Sequence, residues 1–451
     1  MKNIENKFNT PKNKNKKLSS VLIWGVVFII LLVGGSVGYT FLNKQNPSIS
    51  NSNQNNTLTS TVPTSTASTK INIISFVRDG DILIADFDGK NEHKITSHPD
   101  TKFRVLISPC EFGCSDEKPI IQEKDFNNNY YSLPQLNFNK NFIAYSCLSD
   151  QTLKIIQERQ KLSQPLPNPD PLSDFKAQYN LCITDLSNNK QWTIDVDGNP
   201  AIIEWSPNDD TLAVLSKFSK IHIIQRSSDN FILTKSFDYQ WGAFHLALSW
   251  SPNGKILLVP SAHRKVATGY QNAETLLLLD VASGKYTDIP EDTSQDFVFF
   301  GDWLDDSNII FPHNSQTSNT GMVVTKENIQ NFTAEKVFED KNFNWFGFIN
   351  LSPNKKYAVY PSGADSTVTI DFDLTIRNMS NGQSYLLSSL FPGAEIGKKQ
   401  FIEGHKWLSD NTLLFSIYGI DDKYHRTPSV IWRLNPTTKQ TTPIIENAHI
   451  F

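Results

Sequence analysis

Beyond residue 70 the chain is written as short apolar runs of strand length separated by polar turns, and the runs recur in a fixed order. Each unit holds a run ending in Trp or Leu, a tight turn, a second run, a connection of variable length, a third run ending in a Gly- or Asn-containing turn, and a fourth run. In the fourth unit these runs are Phe244 to Trp250, Lys255 to Ser261, Thr275 to Val281 and Tyr286 to Pro290. Runs this short, rich in β-branched and aromatic residues and bounded by turn formers, predict strands.

One phrase marks the units. Trp205-Ser206-Pro207-Asn208, Trp250-Ser251-Pro252-Asn253-Gly254 and Leu351-Ser352-Pro353-Asn354 are joined by looser copies at Trp303-Leu304-Asp305-Asp306 and Trp407-Leu408-Ser409-Asp410, with successive spacings of 45, 53, 48 and 56 residues. A chain that restates one turn at such intervals is built from stacked supersecondary units. Pro252 presets φ for its turn and Gly254 can take φ > 0, while Ser283-Gly284 and Asn381-Gly382 suit hairpins. Four antiparallel strands repeated around an axis make a propeller blade. Pairs of second and third strands occur at 71 to 87, 142 to 186, 211 to 226, 256 to 281, 308 to 326, 357 to 379 and 412 to 435. The predicted fold is therefore all-β, a seven-bladed β-propeller over 70–451, with six or eight blades as the alternatives. The recurrent Trp is expected to pack between neighbouring blades. The first unit lacks a Trp-turn strand, and Asn447 to Phe451 are expected to supply its inner strand and close the ring, with residues 64 to 70 as the competing source.

In a four-stranded blade the first-to-second and third-to-fourth turns share one face. The second-to-third and blade-to-blade connections share the other. The first set is short throughout; the second carries the insertions Ser97 to Pro134, Ser149 to Gln178, Ala262 to Glu274, His313 to Thr320, Gly363 to Thr367, Phe391 to Lys399 and Gly419 to Pro428. Long loops in compact domains tend to carry function, so this asymmetry predicts one working face. Within it, Asp150 to Gln164 reads as a helix with Leu153, Ile156 and Leu162 inward, serving as a lid or packing on the rim.

The N-terminus supplies an address. Lys2, Lys7, Lys12, Lys14, Lys16 and Lys17 stand against Glu5 in residues 1–17, although the whole chain has a formal net charge of −4. Residues 18–42 then run 25 positions without a formal charge, long enough for a transmembrane helix. The lysines put the N-terminal tail in the cytoplasm and the rest outside, with Trp24 and Tyr39 near the two interfaces. The competing reading is a cleaved signal peptide with a poor small-residue site at Ser36-Val37-Gly38. Gly34-Gly35-Ser36-Val37-Gly38 matches the hydrolase nucleophile pattern but lacks the strand, turn and helix that would expose its serine. Residues 43–69, almost all Asn, Gln, Ser, Thr and Pro, predict a disordered stalk of about 25 to 30 Å reach. The expected localisation is the cell membrane, single-pass, with an extracytoplasmic C-terminal domain.

All four cysteines lie beyond that span, where an even count predicts two disulfides. Three pairings are open; the preferred one joins Cys110 to Cys114 and Cys147 to Cys182. A zinc site is the rival, without the paired Cys-x-x-Cys spacing.

Trp250-Ser251-Pro252-Asn253-Gly254-Lys255 followed by Ile256-Leu257-Leu258-Val259, and Ile82-Leu83-Ile84-Ala85 followed by Asp86-Phe87-Asp88-Gly89, resemble the repeats of TolB-type (WD-like) β-propellers. The resemblance covers roughly Ile71 to the C-terminus. It implies a propeller and a binding role in a bacterial envelope, and it transfers no catalytic residue.

The candidate binding residues are His263, Arg264, Tyr270, Trp241, His245, Tyr424, His425 and Arg426, with Lys265, Asp421 and Asp422 beside them. Aromatics mixed with hydrogen-bonding charges suit a protein, peptide or glycan partner. Catalytic readings would draft Asp302, Asp305 and Asp306, or Asp421 and Asp422. Asp305-Asp306, however, falls in a short turn on the opposite face. Asp86-Phe87-Asp88-Gly89 and Asp195-Val196-Asp197-Gly198 lack the later ligands of calcium loops and read as hairpin turns. No phosphate loop or His-Glu-x-x-His pattern is present, so no cofactor or metal is expected. An acidic ectodomain without a basic stripe also excludes nucleic acid as the expected partner. The expected function is a membrane-anchored, non-catalytic binding module; the alternative is a propeller hydrolase acting at the central channel.

Overall fold

The structure is a computed structural model that describes residues 72–97, 102–107, 120–125, 131–161, 178–208, 210–216, 219–239, 247–266, 269–289, 300–314, 322–341, 348–362, 373–392, 396, 400–419 and 427–450. They belong to a compact unit, Thr69–Phe451; the unit Met1–Ser68, with the expected membrane span and most of the stalk, lies outside the described residues.

The unit is a seven-bladed propeller. Blade one pairs β1 (Ile73–Arg78), β2 (Asp81–Asp86) and β3 (His93–Lys94), and is followed by a separate hairpin of β4 (Lys102–Ile107) and β5 (Ile120–Asp125). Blade two is β6 (Tyr131–Leu136), β7 (Phe142–Leu148), β8 (Tyr179–Asp185) and β9 (Gln191–Ile194), with α1 (Asp150–Gln160) between β7 and β8. Blade three is β10 (Pro200–Trp205), β11 (Thr211–Ser216), β12 (Lys220–Ser227) and β13 (Asn230–Asp238). Blade four is β14 (Ser249–Trp250), β15 (Ile256–Val266), β16 (Gly269–Asp280) and β17 (Lys285–Asp288). Blade five is β18 (Asp302–Trp303), β19 (Asn308–Asn314), β20 (Met322–Asn328) and β21 (Thr333–Asp340). Blade six is β22 (Asn350–Leu351), β23 (Tyr357–Ser362), β24 (Asp373–Asn378) and β25 (Ser384–Leu386), and blade seven is β26 (Gln400–Trp407), β27 (Leu413–Gly419), β28 (Val430–Asn435) and β29 (Gln440–Glu446).

The core is seven separate layers, one at each blade junction. The second strand of each blade is mostly apolar because both of its faces are covered; β7, for example, is buried along its whole length. Alternate residues therefore serve different neighbours. Leu212 and Val214 pack with Phe142, Leu181 and Ile183 of blade two, whereas Ala213 and Leu215 pack with Trp250, Leu257 and Val259 of blade four. The last junctions follow the same rule. Leu414 and Ile431 meet Ile74, Phe76 and Ala85, and Val77 and Ile82 meet Ile143 and Tyr145. Each fully buried side chain of this size contributes about 1.5–3 kcal/mol.

The ring closes through the C-terminus. His449 forms an antiparallel bridge with Val77, each backbone N–H donating to the other's carbonyl at 3.0 Å. The C-terminal residues thus lie beside β1 as expected, though as a single bridge rather than a full inner strand. Closure pairs an edge that would otherwise be open to solvent or another chain.

The turns follow their predicted chemistry. Gly254 sits at φ +67° with its N–H donating to the Ser251 carbonyl, and Gly284 and Gly382 each take φ +73° in the β16–β17 and β24–β25 hairpins. Three expectations need correction. Ser97 to Pro134 is not wholly irregular, since it contains the β4–β5 hairpin and the start of β6. Ala262 to Glu274 is not a loop: β15 and β16 continue outward as a paired ribbon, with Lys265 opposite Tyr270 and Val266 opposite Gly269. Asp195 to Gly198 is a blade-to-blade connection from β9 to β10 rather than a hairpin, where Asp197 binds Lys220 at 2.5 Å.

Candidate functional site

Two faces and one channel offer themselves as sites. On one face, the turns between first and second strands and between third and fourth strands are short in every blade and closed by their own side chains. In blade six, Ser352 Oγ donates to Asn354 Oδ1 at 2.9 Å, and that amide oxygen also accepts the Lys356 N–H at 3.0 Å. These turns are stapled to the next blade as well: the Asn253 N–H donates to Asp306 Oδ1 at 2.7 Å, and the Asn354 N–H to Asn411 Oδ1 at 2.9 Å.

The opposite face carries the elaborations. The β4–β5 hairpin, helix α1 and the β15–β16 ribbon all leave the propeller there. Helix α1 is docked on its own blade: Ser149 Oγ caps the Thr152 N–H at 3.3 Å, Thr152 Oγ1 donates to the Gln178 carbonyl at 3.1 Å, and Ile156 packs on Leu148. It ends at Gln160, and its described part packs against the ends of β7 and β8 through Ile156, Leu153, Leu148 and Tyr179.

The innermost strands build the channel around one repeated contact. Trp205 Nε1 donates to the Gln135 carbonyl at 2.9 Å, Trp250 to Glu204 at 3.1 Å, Trp303 to Ser249 at 3.1 Å and Trp407 to Asn350 at 3.2 Å. Each indole thus reaches back to the preceding blade, at the residue just before that blade's own Trp or Leu. Leu351 has no indole N–H to give. Its backbone N–H instead donates to Asp302 Oδ2 at 2.9 Å.

The residues directly before the Trp or Leu are Gln135, Glu204, Ser249, Asp302, Asn350 and Lys406, all polar and half-buried. Lys406 of blade seven donates to Gln135 Oε1 of blade two at 2.7 Å, spanning blade one. Glu204 feels both Lys406 and Asp302 electrostatically, so these groups converge in the channel. Desolvation raises the Glu204 carboxyl to about 7; Lys406 opposes that shift and Asp302 adds to it. Desolvation lowers the Lys406 ammonium, with Glu204 opposing. Beside them His405 stacks on Phe348 at 4.7 Å, and burial lowers its imidazole to about 4.

A glycan hydrolase would need two free carboxylates across a scissile bond. Asp302 does not fill that role, because it accepts the Trp303 and Leu351 N–H groups and faces Lys355 at 3.8 Å. Asp305 accepts from Ser307 and Asn308, and Asp306 from Asn253, so both are turn staples on the short-turn face. His222 lies between Ser216 and Ser236 at 2.8 and 2.9 Å in a catalytic-looking row, but Ser216 is fully buried and donates to the Asp197 carbonyl. Among the described residues, no group of three or more His, Cys, Asp or Glu side chains could hold a metal ion.

The structure places His263 and Arg264 on β15 and Tyr270 on β16, in the outward ribbon. Trp241, His245, Tyr424, His425 and Arg426 lie outside the described residues, as do Asp421, Asp422, Cys110 and Cys114. Cys147 and Cys182 are joined across β7 and β8, with Cα atoms 5.9 Å apart. Apart from Asp302, the channel residues are not among those singled out from the sequence, although they share one offset from the repeated Trp or Leu.

No family model and no curated protein matches the chain. Among solved structures it is similar to an oligogalacturonate lyase from Vibrio parahaemolyticus, at 11% identity and TM-score 0.46, covering 84% of this chain and 87% of that one. It is also similar to the Cps50 (Swd1) β-propeller domain of Myceliophteria thermophila, at 10% identity and TM-score 0.47, over 81% of this chain and 95% of that one. A dihydro-heme d1 dehydrogenase, NirN, matches at 12% identity and TM-score 0.44, over 85% and 76%. Likeness this distant assigns no activity to the chain.

Proposed function

We propose that this chain is a membrane-anchored, extracytoplasmic propeller of the TolB type that binds a protein, peptide or glycan partner without chemistry, through the face bearing the insertions. One observation carries the proposal. Every described elaboration of the blades, the β4–β5 hairpin, helix α1 and the β15–β16 ribbon, departs from that face, while the other is uniformly short and self-stapled. A scaffold rigid on one side and varied on the other suits recognition. The Cys147–Cys182 disulfide supports an oxidising compartment, in keeping with a lysine-flanked apolar span at residues 18–42 that would leave the propeller outside. Among the described residues no helix is long and apolar enough to cross a membrane.

The test is affinity capture from envelope extracts with the propeller, residues 70–451, and two variants. One carries His425→Ala and Arg426→Ala. The other replaces Ala262 to Glu274 with an Asn-Gly turn joining the cross-strand neighbours Ser261 and Thr275. Both variants are expected to melt like the parent and to lose capture of its specific partner. Unchanged capture by both would overturn the assignment of this face.

A further inference from the structure

On the short-turn face, between blades six and seven, lies an open polar groove of about 450 Å³. That volume falls within the roughly 300–1,000 Å³ typical of small-ligand sites. Four asparagines line it: Asn354, Asn378, Asn411 and Asn435. Each spends its amide oxygen on the fold. Asn354 Oδ1 accepts from Lys356 N, Asn378 Oδ1 from Ser380 N at 2.9 Å, Asn411 Oδ1 from Asn354 N, and Asn435 Oδ1 from Thr437 N at 3.0 Å.

What remains on each side chain is its NH₂ group, a double donor. None of the four NH₂ groups has a hydrogen-bond partner among the described residues. Lys356 also lines the groove and has no ion-pair partner among the described residues. Two of the groove's acceptor-bearing side chains are already committed: Asp410 pairs with Arg433 and accepts from Thr412, and the Tyr357 hydroxyl meets Thr437 Oγ1 at 3.0 Å. The groove is therefore rich in free donors.

We infer that this groove binds an oxyanion, a carboxylate or phosphate group, through the asparagine NH₂ groups and Lys356. Hydrogen bonds to an ionised acceptor are the strong ones, and a ligand bearing several acceptors matches a groove lined by several free donors. The site is independent of the insertion face, so loss of one leaves the other standing.

Asparagine-to-aspartate substitution separates binding from folding. Asn411→Asp and Asn435→Asp keep the oxygen that accepts the turn N–H and exchange the NH₂ donor for a repelling oxygen; aspartate also tolerates the φ +64° of position 411. The full chain in detergent would be titrated calorimetrically with inorganic phosphate, glucuronate and glucose. Saturable binding of phosphate, glucuronate or both, with no binding of glucose, is expected. The stronger anion identifies the natural source as a phosphate group or an acidic saccharide. Each variant is expected to weaken that binding about tenfold or more, with an unchanged melting temperature. Absence of anion binding, equal binding of glucose, or wild-type affinity in both variants would overturn the site.

Discussion

Trp250 donates its indole N–H to the backbone carbonyl of Glu204, 3.1 Å away in the neighbouring blade. The same bond joins Trp205 to Gln135, Trp303 to Ser249 and Trp407 to Asn350, so the repeated tryptophan is a strut between blades as well as a core residue. Trp250→Phe keeps most of the ring and removes the inter-blade donor. It is expected to cost about 1–2 kcal/mol, whereas Trp250→Ala, which also opens a cavity, costs about 3–5 kcal/mol. Equilibrium urea unfolding measures both, and equal losses would refute a separate role for the N–H.

Closure of the ring rests on the reciprocal backbone bonds of Val77 and His449. His449→Pro removes the N–H that donates to Val77, and is expected to destabilise the propeller by about 1–3 kcal/mol. His449→Ala, which keeps the backbone but loses the contact of the ring with Ser429, should cost less. Thermal unfolding of the two variants gives the comparison; a proline variant as stable as the alanine variant would contradict closure at this bridge.

Two channel groups give pH dependences of opposite sign. Glu204 titrates near 7 in the fold against 4.5 in the unfolded chain, so between those values the native state holds the extra proton and stability falls as pH rises. Glu204→Gln should therefore gain on wild type as pH rises from 5 to 8. His405 titrates near 4 against 6.5 unfolded, so stability falls as pH drops through that interval. His405→Phe should gain on wild type as pH drops from 6.5 to 4.5. Urea unfolding at a series of pH values reads both differences, on the order of 1–3 kcal/mol at the ends of the windows. Flat differences would show that neither group is held in a desolvating channel.

Much of the architecture is legible in the residues. The Trp-Ser-Pro-Asn phrase is visible because one physical job, a strut followed by a capped turn, recurs with the same residue types. The channel positions share an offset but not a chemistry: Gln135, Glu204, Ser249, Asp302, Asn350 and Lys406 form no motif, and only the ring brings Lys406 to Gln135. The outward ribbon was hidden for another reason. Around His263, Arg264 and Lys265 the strands have left the blade junction, so no apolar alternation announces pairing that the backbone alone supplies. Asp195 to Gly198 misled because Asp-Gly is a hairpin signal, yet here it carries the chain between blades.

The working face itself can be probed directly. A photo-crosslinking residue at position 265, in the ribbon of the insertion face, is to be compared with one at position 283, in the β16–β17 turn on the opposite face of the same blade, both in the full chain expressed in cells. Covalent macromolecular adducts are expected from position 265 and none from position 283; adducts from 283 alone, or equally from both, would contradict binding through the insertion face.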